Sequence, residues 1–145
     1  MSSRAAALPP PSPTAIKAIS AVVGVLALGV LVNAITAGTF VTKFLQKNHS
    51  TGGINAHMGV GDLIVLLAVV AVAIAFTLWR GKAGFQVVAG ETVALLIFVI
   101  IEFGVGQSLE KHSGLLVIHI PVALIIFGIT THLSSYVANL RRSAR

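Results

Sequence analysis

The sequence predicts an all-α integral membrane protein, a four-helix bundle with its N and C termini in the cytoplasm. Hydrophobic residues make up 56% of the 145 residues and charged residues only 10%, whereas soluble domains carry roughly a quarter of charged residues. Four apolar runs each reach the length of about 20 residues that crosses a bilayer: residues 18–42, 54–79, 85–107 and 114–140. We therefore expect one four-helix domain over residues 15–145 and no soluble catalytic domain.

The chain begins with a proline-rich segment, Pro9-Pro10-Pro11-Ser12-Pro13. Each proline lacks an N–H and has a fixed φ, which favours extended polyproline structure over helix. Residues 1–14 are therefore predicted to form a short disordered tail. The apolar run that follows is longer than the 7 to 15 apolar residues of a secretory signal, so we expect it to be retained as a helix.

The charges of the chain indicate its topology. Ten Lys and Arg against four acidic residues give a net charge of +6. These basic residues flank apolar segments, where they set orientation and meet anionic lipid, so no nucleic-acid role is assigned. The two tails and the second loop together carry seven of the ten basic residues: Arg4, Lys17, Arg80, Lys82, Arg141, Arg142 and Arg145. The first and third loops carry the other three: Lys43, Lys47 and Lys111. The positive-inside rule then predicts a multi-pass cell-membrane protein with cytoplasmic termini.

Two histidines on helices that run in the same direction form the candidate cofactor site. His57 lies near the start of the second segment and His119 in the outer part of the fourth. Polar residues inside membrane segments are costly and usually functional. Haem iron accepts imidazole ligands, and helix bundles hold cofactors between facing helices. The pair therefore predicts the axial ligands of one b-type haem at most, because His132, near the inner end, has no histidine at its level.

The surroundings of the two histidines suit a flat ligand. Gly61 and Ala123 lie one helical turn inward of His57 and His119, so neither helix carries bulk where a porphyrin would lie. Basic residues near the outer surface are candidates to contact haem propionates: Lys43, Lys47 and His112. The alternative for the lysines is ordinary flanking of helix ends. The absence of cysteine excludes covalent c-type haem attachment and iron–sulfur clusters.

The depths of the two histidines are compatible but not equal. With Trp79 and Tyr136 taken as markers of the inner membrane surface, the histidine depths differ by five residues. That difference is about 7.5 Å at the helical rise. Helix tilt, together with a bend that we expect at Pro121, would absorb it.

Glu102 is a candidate proton or quinol site in the outer half of the third segment. An isolated buried charge is costly, so its carboxyl group is expected to be protonated, paired, or part of such a site. The alternative is a neutral carboxyl group that is hydrogen-bonded within the bundle. Glu91 lies near the cytoplasmic start of the third helix, where a negative charge complements the helix dipole, and we expect it to be structural.

The positions of His57 and His119, with a cytoplasmic N-terminus, resemble one four-helix half of the heme A synthase family. The resemblance covers the architecture of residues 18–140 and implies a histidine pair that binds haem. The family's catalytic half has a glutamate one turn before its helix-two histidine, where this chain has Ile54, so haem oxidation is not implied. The chain also resembles small bacterial four-helix membrane proteins of unknown function, which implies a bacterial plasma membrane.

These observations favour a membrane-embedded haem protein for electron transfer or haem handling, which acts with a redox partner or a larger membrane complex; whether it is an enzyme is left open. The alternative is a cofactor-free small subunit or partner of a larger membrane complex, in which the histidines and Glu102 satisfy one another. A transporter or channel ranks last, because Asn33, Glu102 and His132 offer only scattered polar steps. Glycine-rich faces of the first or third helix would also allow a homodimer.

Overall fold

The computed structural model describes residues 8–45, 52–109 and 111–143, with the backbone alone for residues 40–45. Four long helices are present: α1 (Pro13–Leu45), α2 (Gly52–Leu78), α3 (Phe85–Ser108) and α4 (Leu116–Ser143), the last preceded by a 3₁₀ turn (Ser113–Leu115). All four helices are long and apolar enough to cross a membrane. No strand occurs in the described ranges. The predicted all-helical, multi-pass four-helix architecture is therefore confirmed.

The start of α1 differs most from the prediction. This helix begins at Pro13 rather than at Ala18, because Ser12 caps it: the Ser12 hydroxyl accepts a hydrogen bond of 3.1 Å from the N–H of Ala15. The other bounds agree within three residues. Residues 1–7 of the predicted tail lie outside the described ranges. Further along the tail, the Pro9 carbonyl accepts a hydrogen bond of 2.9 Å from the N–H of Ala83, in the loop between α2 and α3.

The four helices pack as a ring of neighbours in chain order, with α1 closing against α4. No packing is seen between the described parts of α2 and α4, so these two helices lie diagonally across the bundle. We call the end that carries Pro13, Ser143 and the α2–α3 loop the terminal end. The opposite end, where the α1–α2 and α3–α4 connections lie, is called the loop end.

Buried apolar side chains form two layers. The first lies at the terminal end: Ala15, Ile16, Ile19, Val23, Ala71, Ala75, Trp79, Val88, Ala89, Leu133 and Val137. The second lies at the middle of the bundle: Leu26, Ile64, Ala68, Leu95, Val99, Val122 and Ile126. Beyond Leu26, Ile64, Val99 and Val122 toward the loop end, none of the described side chains is a buried apolar one. The apolar core therefore fills only part of the bundle length.

Trp79, immediately after the end of α2, packs into the interior of the bundle. Its side chain is fully buried in the terminal-end layer, and its Nε1 donates a hydrogen bond of 3.0 Å to the Ala83 carbonyl. Several alanines in that layer leave the volume that the indole fills. Tyr136 is half-buried against the same layer. Both aromatic side chains therefore pack against the core layer at the terminal end.

The outer faces of all four helices are apolar. Large hydrophobic side chains such as Leu28, Leu66, Ile100 and Leu124 are more than half exposed. Patches of this extent are not stable against water, whereas a bilayer covers them without cost. The outer surface is therefore consistent with a lipid environment.

The α2–α3 loop depends on two glycines with left-handed backbone, Gly81 (φ 72°) and Gly84 (φ 78°). A Cβ at Gly84 would lie 2.5 Å from the Tyr136 hydroxyl oxygen, whereas one at Gly81 would meet nothing within 4 Å. We expect Gly81→Ala to lower the free energy of unfolding by about 1 kcal/mol through φ alone. Gly84→Ala should cost about 1 to 3 kcal/mol more, because of the overlap with the tyrosine. Detergent unfolding followed by circular dichroism measures both.

Adding Tyr136→Phe to Gly84→Ala removes the overlapping oxygen and supplies the control. The double variant should approach the stability of Gly81→Ala, because only the cost of an alanine with positive φ remains. Equal costs for the two alanine variants would contradict the close approach at Gly84.

Candidate functional site

Each of the four helices contributes one polar residue at a level between the middle core layer and the loop end. These are Asn33 of α1, His57 of α2, Glu102 of α3 and His119 of α4, and all four are half-buried. We call them the polar cluster. Because α2 and α4 are diagonal, the two imidazoles approach each other across the interior of the bundle.

The His57 ring is oriented by the backbone of α1. Its Nδ1 lies 3.0 Å from the Asn33 carbonyl oxygen, which also accepts a hydrogen bond of 2.9 Å from the Thr36 hydroxyl. A carbonyl only accepts, so Nδ1 carries the proton and the lone pair of the neutral ring lies on Nε2. The side-chain oxygen of Asn33 is buried and has no hydrogen-bond partner in the described part of the chain.

The His119 ring is paired with the carboxyl group of the neighbouring helix. Its Nδ1 lies 3.0 Å from Glu102 Oε1, and the two side chains are only 16% and 15% exposed. The separation is that of an ion pair, but the contact does not meet hydrogen-bond geometry. Within the described ranges, His119 Nδ1 and Glu102 Oε2 therefore remain buried without a hydrogen-bond partner. The Glu102 carboxyl group was expected to be protonated, paired, or part of a proton or quinol site, and in the structure it is paired with His119.

The two histidines lie at the same level. Their ring centres are 6.3 Å apart and the ring planes are inclined by 71°. The rings are this close although the two histidines differ by five positions when counted from Trp79 and Tyr136. A Cβ at Gly106 of α3 would lie 3.4 Å from His119 Cε1, so a glycine backbone lies directly against this ring.

The remaining predicted contacts of the cofactor are only partly described. Gly61 is half-buried, and a Cβ there would meet nothing within 4 Å, which agrees with open space inward of His57. Ala123 is half-buried. His112 is exposed at the loop end, immediately before the 3₁₀ turn. Lys43 lies in α1 but its side chain is outside the described part, and Lys47 lies outside the described ranges altogether.

A second carboxyl–imidazole pair, which was not predicted, joins the same two helices nearer the terminal end. His132 Nδ1 donates to Glu91 Oε1 at 2.7 Å. The second pair could have been found from the spacing of antiparallel helices, where a step along one helix is matched by a step of similar length back along the other. Glu102 is eleven residues after Glu91, and His119 is thirteen before His132. Once Glu102 is paired with His119, this spacing predicts that Glu91 lies beside His132.

No group of three or more His, Cys, Asp or Glu residues that could hold a metal occurs in the described ranges.

The fold and the cluster define a class: a four-span membrane bundle with an imidazole–carboxylate site near one end. Comparison of the chain with protein-family profiles, with curated proteins and with solved structures found no significant match. The function must therefore follow from the chemistry of the cluster.

Proposed function

We propose that this chain is a membrane-embedded b-type haem protein, with His57 and His119 as the axial ligands of one haem. The observation that carries the proposal is the separation of 6.3 Å between the two ring centres on diagonal helices. Two imidazoles that bind one metal ion through nitrogen, at about 2 Å each, have ring centres about 6 Å apart. The inclination of 71° is compatible with this, because each ring can turn about its metal–nitrogen bond.

The contacts of the two Nδ1 atoms also support haem binding. Metal-binding histidines almost always direct their second ring nitrogen at a carboxylate, a backbone carbonyl or water, which fixes the tautomer and the ring orientation. His57 has a carbonyl in this position and His119 has the Glu102 carboxyl group. Both rings would then bind iron through Nε2. A small rotation of His119 would complete its hydrogen bond to Glu102.

Small residues beside both rings leave room for a flat macrocycle. Gly61 has open space where a Cβ would lie, and Gly106 presents only its backbone to His119. Lys43, Lys47 and His112 are the candidates to contact propionates at the loop end. Each is placed there by its position in the sequence.

A bound haem supplies one-electron redox chemistry. The chain's own residues hold and orient it: His57 and His119 bind, the Asn33 carbonyl fixes one ring, and Glu102 lies beside the other. We assign Glu102 the role of orienting the His119 ring, because its Oε1 lies 3.0 Å from His119 Nδ1. Electron transfer to a redox partner, or haem handling, follows from this arrangement.

The proposed orientation places both termini in the cytoplasm of a bacterial cell, and the polar cluster toward the outer face of the plasma membrane. The distribution of basic residues supports it, since the tails and the second loop carry seven of the ten.

A cofactor-free subunit of a larger complex is the second candidate. It is favoured by the fact that polar cluster residues already contact one another, with Glu102 3.0 Å from His119 and His57 bonded to the backbone of α1. This candidate predicts a colourless protein that co-purifies with other membrane subunits.

The deciding experiment is an absorption spectrum of the wild-type protein, purified in mild detergent from haem-replete cells. We expect a Soret band, an α band that sharpens on reduction with dithionite, and at most one haem per chain by pyridine haemochrome assay. A preparation that is colourless and also fails to take up added hemin would contradict the proposal and leave the cofactor-free subunit.

A further inference from the structure

A cavity of about 400 Å³ lies between α1 and α4 at the terminal end, far from the polar cluster. It is partly open to the outside of the bundle. Two residues of α1 and four of α4 line it: Ser20, Gly24, Ser134, Ala138, Arg141 and Arg142. None of these residues is acidic, and the two arginines make the opening of the cavity positively charged.

The two serines of the cavity differ from other hydroxyl residues in the helices. A helical Ser or Thr normally donates to a backbone carbonyl three or four residues earlier, and eight here do so: Thr36, Thr39, Thr77, Thr92, Ser108, Thr130, Thr131 and Ser143. The hydroxyl oxygens of Ser20 and Ser134 are buried and have no hydrogen-bond partner in the described structure. A buried hydroxyl without a partner is costly, so both point to a polar ligand in this cavity.

The lining residues are arranged by depth. Ser134 lies seven residues before Arg141, and Ser20 lies seven residues after the start of α1. Seven residues correspond to about 10 Å along a helix. Arg141 and Arg142 therefore lie nearer the terminal end of the bundle, and the serine hydroxyl groups lie further in along the helices. Lys17, one turn before Ser20 on α1, adds positive charge at the same end.

We propose that this cavity binds an anionic phospholipid. Arg141 and Arg142 hold its phosphate, because guanidinium groups bind phosphate through paired charge-assisted hydrogen bonds. The hydroxyl groups of Ser20 and Ser134 donate to its glycerol-ester oxygens. A lipid is favoured over a soluble phosphate because the cavity continues from the arginines into the span, past small residues that leave a groove for an acyl chain. The proposal is independent of haem.

The test compares lipid binding to delipidated protein by native mass spectrometry in neutral detergent. We expect the wild type to bind phosphatidylglycerol at least about tenfold more tightly than phosphatidylcholine, and Arg141→Gln/Arg142→Gln to lose that preference. The matched control is Arg80→Gln/Lys82→Gln, which removes the same charge from the terminal end but lies outside the cavity. Equal losses in the two variants would mean general electrostatic attraction and would overturn the proposal.

A second pair of variants blocks the groove without changing charge. A Cβ at Gly24 meets nothing within 4 Å, so Gly24→Leu fits the fold and fills the cavity, while Gly128→Leu is the same change at an open position outside it. Gly24→Leu should weaken phosphatidylglycerol binding about tenfold and Gly128→Leu should not. Inorganic phosphate should compete only weakly. Phosphate that binds as tightly as the phospholipid, or unchanged binding in Gly24→Leu, would overturn the lipid assignment.

Discussion

His119→Ala abolishes the Soret and α bands of the purified protein, whereas His132→Ala leaves them unchanged; this is the largest effect that we expect. Both histidines are on α4, and both have a carboxyl partner on α3. Only His119 faces a second imidazole, that of His57. Loss of one of two axial ligands should lower haem occupancy by more than about tenfold.

The comparison also separates haem binding from folding. Helix content by far-ultraviolet circular dichroism should be the same in both variants, and His57→Ala should behave like His119→Ala. If His132→Ala loses the bands as well, or if His119→Ala keeps them, the assignment of the axial pair is wrong.

The second large effect is expected at a residue that is not a ligand. Gly106 lies against the His119 ring, and a Cβ there would be 3.4 Å from Cε1. The leucine side chain in Gly106→Leu adds four carbon atoms, so it must displace the imidazole or occupy the space beside it that the macrocycle would need. We expect haem occupancy to fall about tenfold or more while both histidines remain.

Gly104→Leu is the matched control for this substitution. It makes the same change on α3 only two residues away, at a position where a Cβ would meet nothing within 4 Å. Absorbance at the Soret band per mole of protein measures the effect. Similar losses in the two variants would indicate a general effect on α3 instead of a close approach to His119.

The sequence was sufficient to predict the helices, because membrane spans are set by length and hydropathy. The start of α1 was missed for a local reason. The proline run suggested a tail up to residue 14, but a proline is well tolerated in the first turn of a helix, and Ser12 supplies the cap. Hydropathy alone does not detect a helix start that a polar side chain fixes.

One contact within the polar cluster was predicted, whereas haem binding there is a proposal. The approach of His57 and His119 followed from two polar residues on helices that run in the same direction, and the structure brings their rings together. The partner of His57 was not predictable, because it is a backbone carbonyl, which every residue carries. The pairing of Glu102 with His119 was weighed only as an alternative. It could have been found from the matched spacing of the antiparallel helices α3 and α4.

The shortness of the apolar core has a mechanical consequence. The terminal end is stabilised by the buried Trp79, by a layer of buried apolar side chains from all four helices, and by the hydrogen bond from the Ala83 N–H to the Pro9 carbonyl. At the loop end the described contacts between helices are mainly polar, with small residues beside them. Spreading the helices there breaks few packed contacts, so we expect the loop end to open locally while the terminal end stays packed. A flat ligand would then enter between two neighbouring helices and reach the space between the diagonal helices α2 and α4.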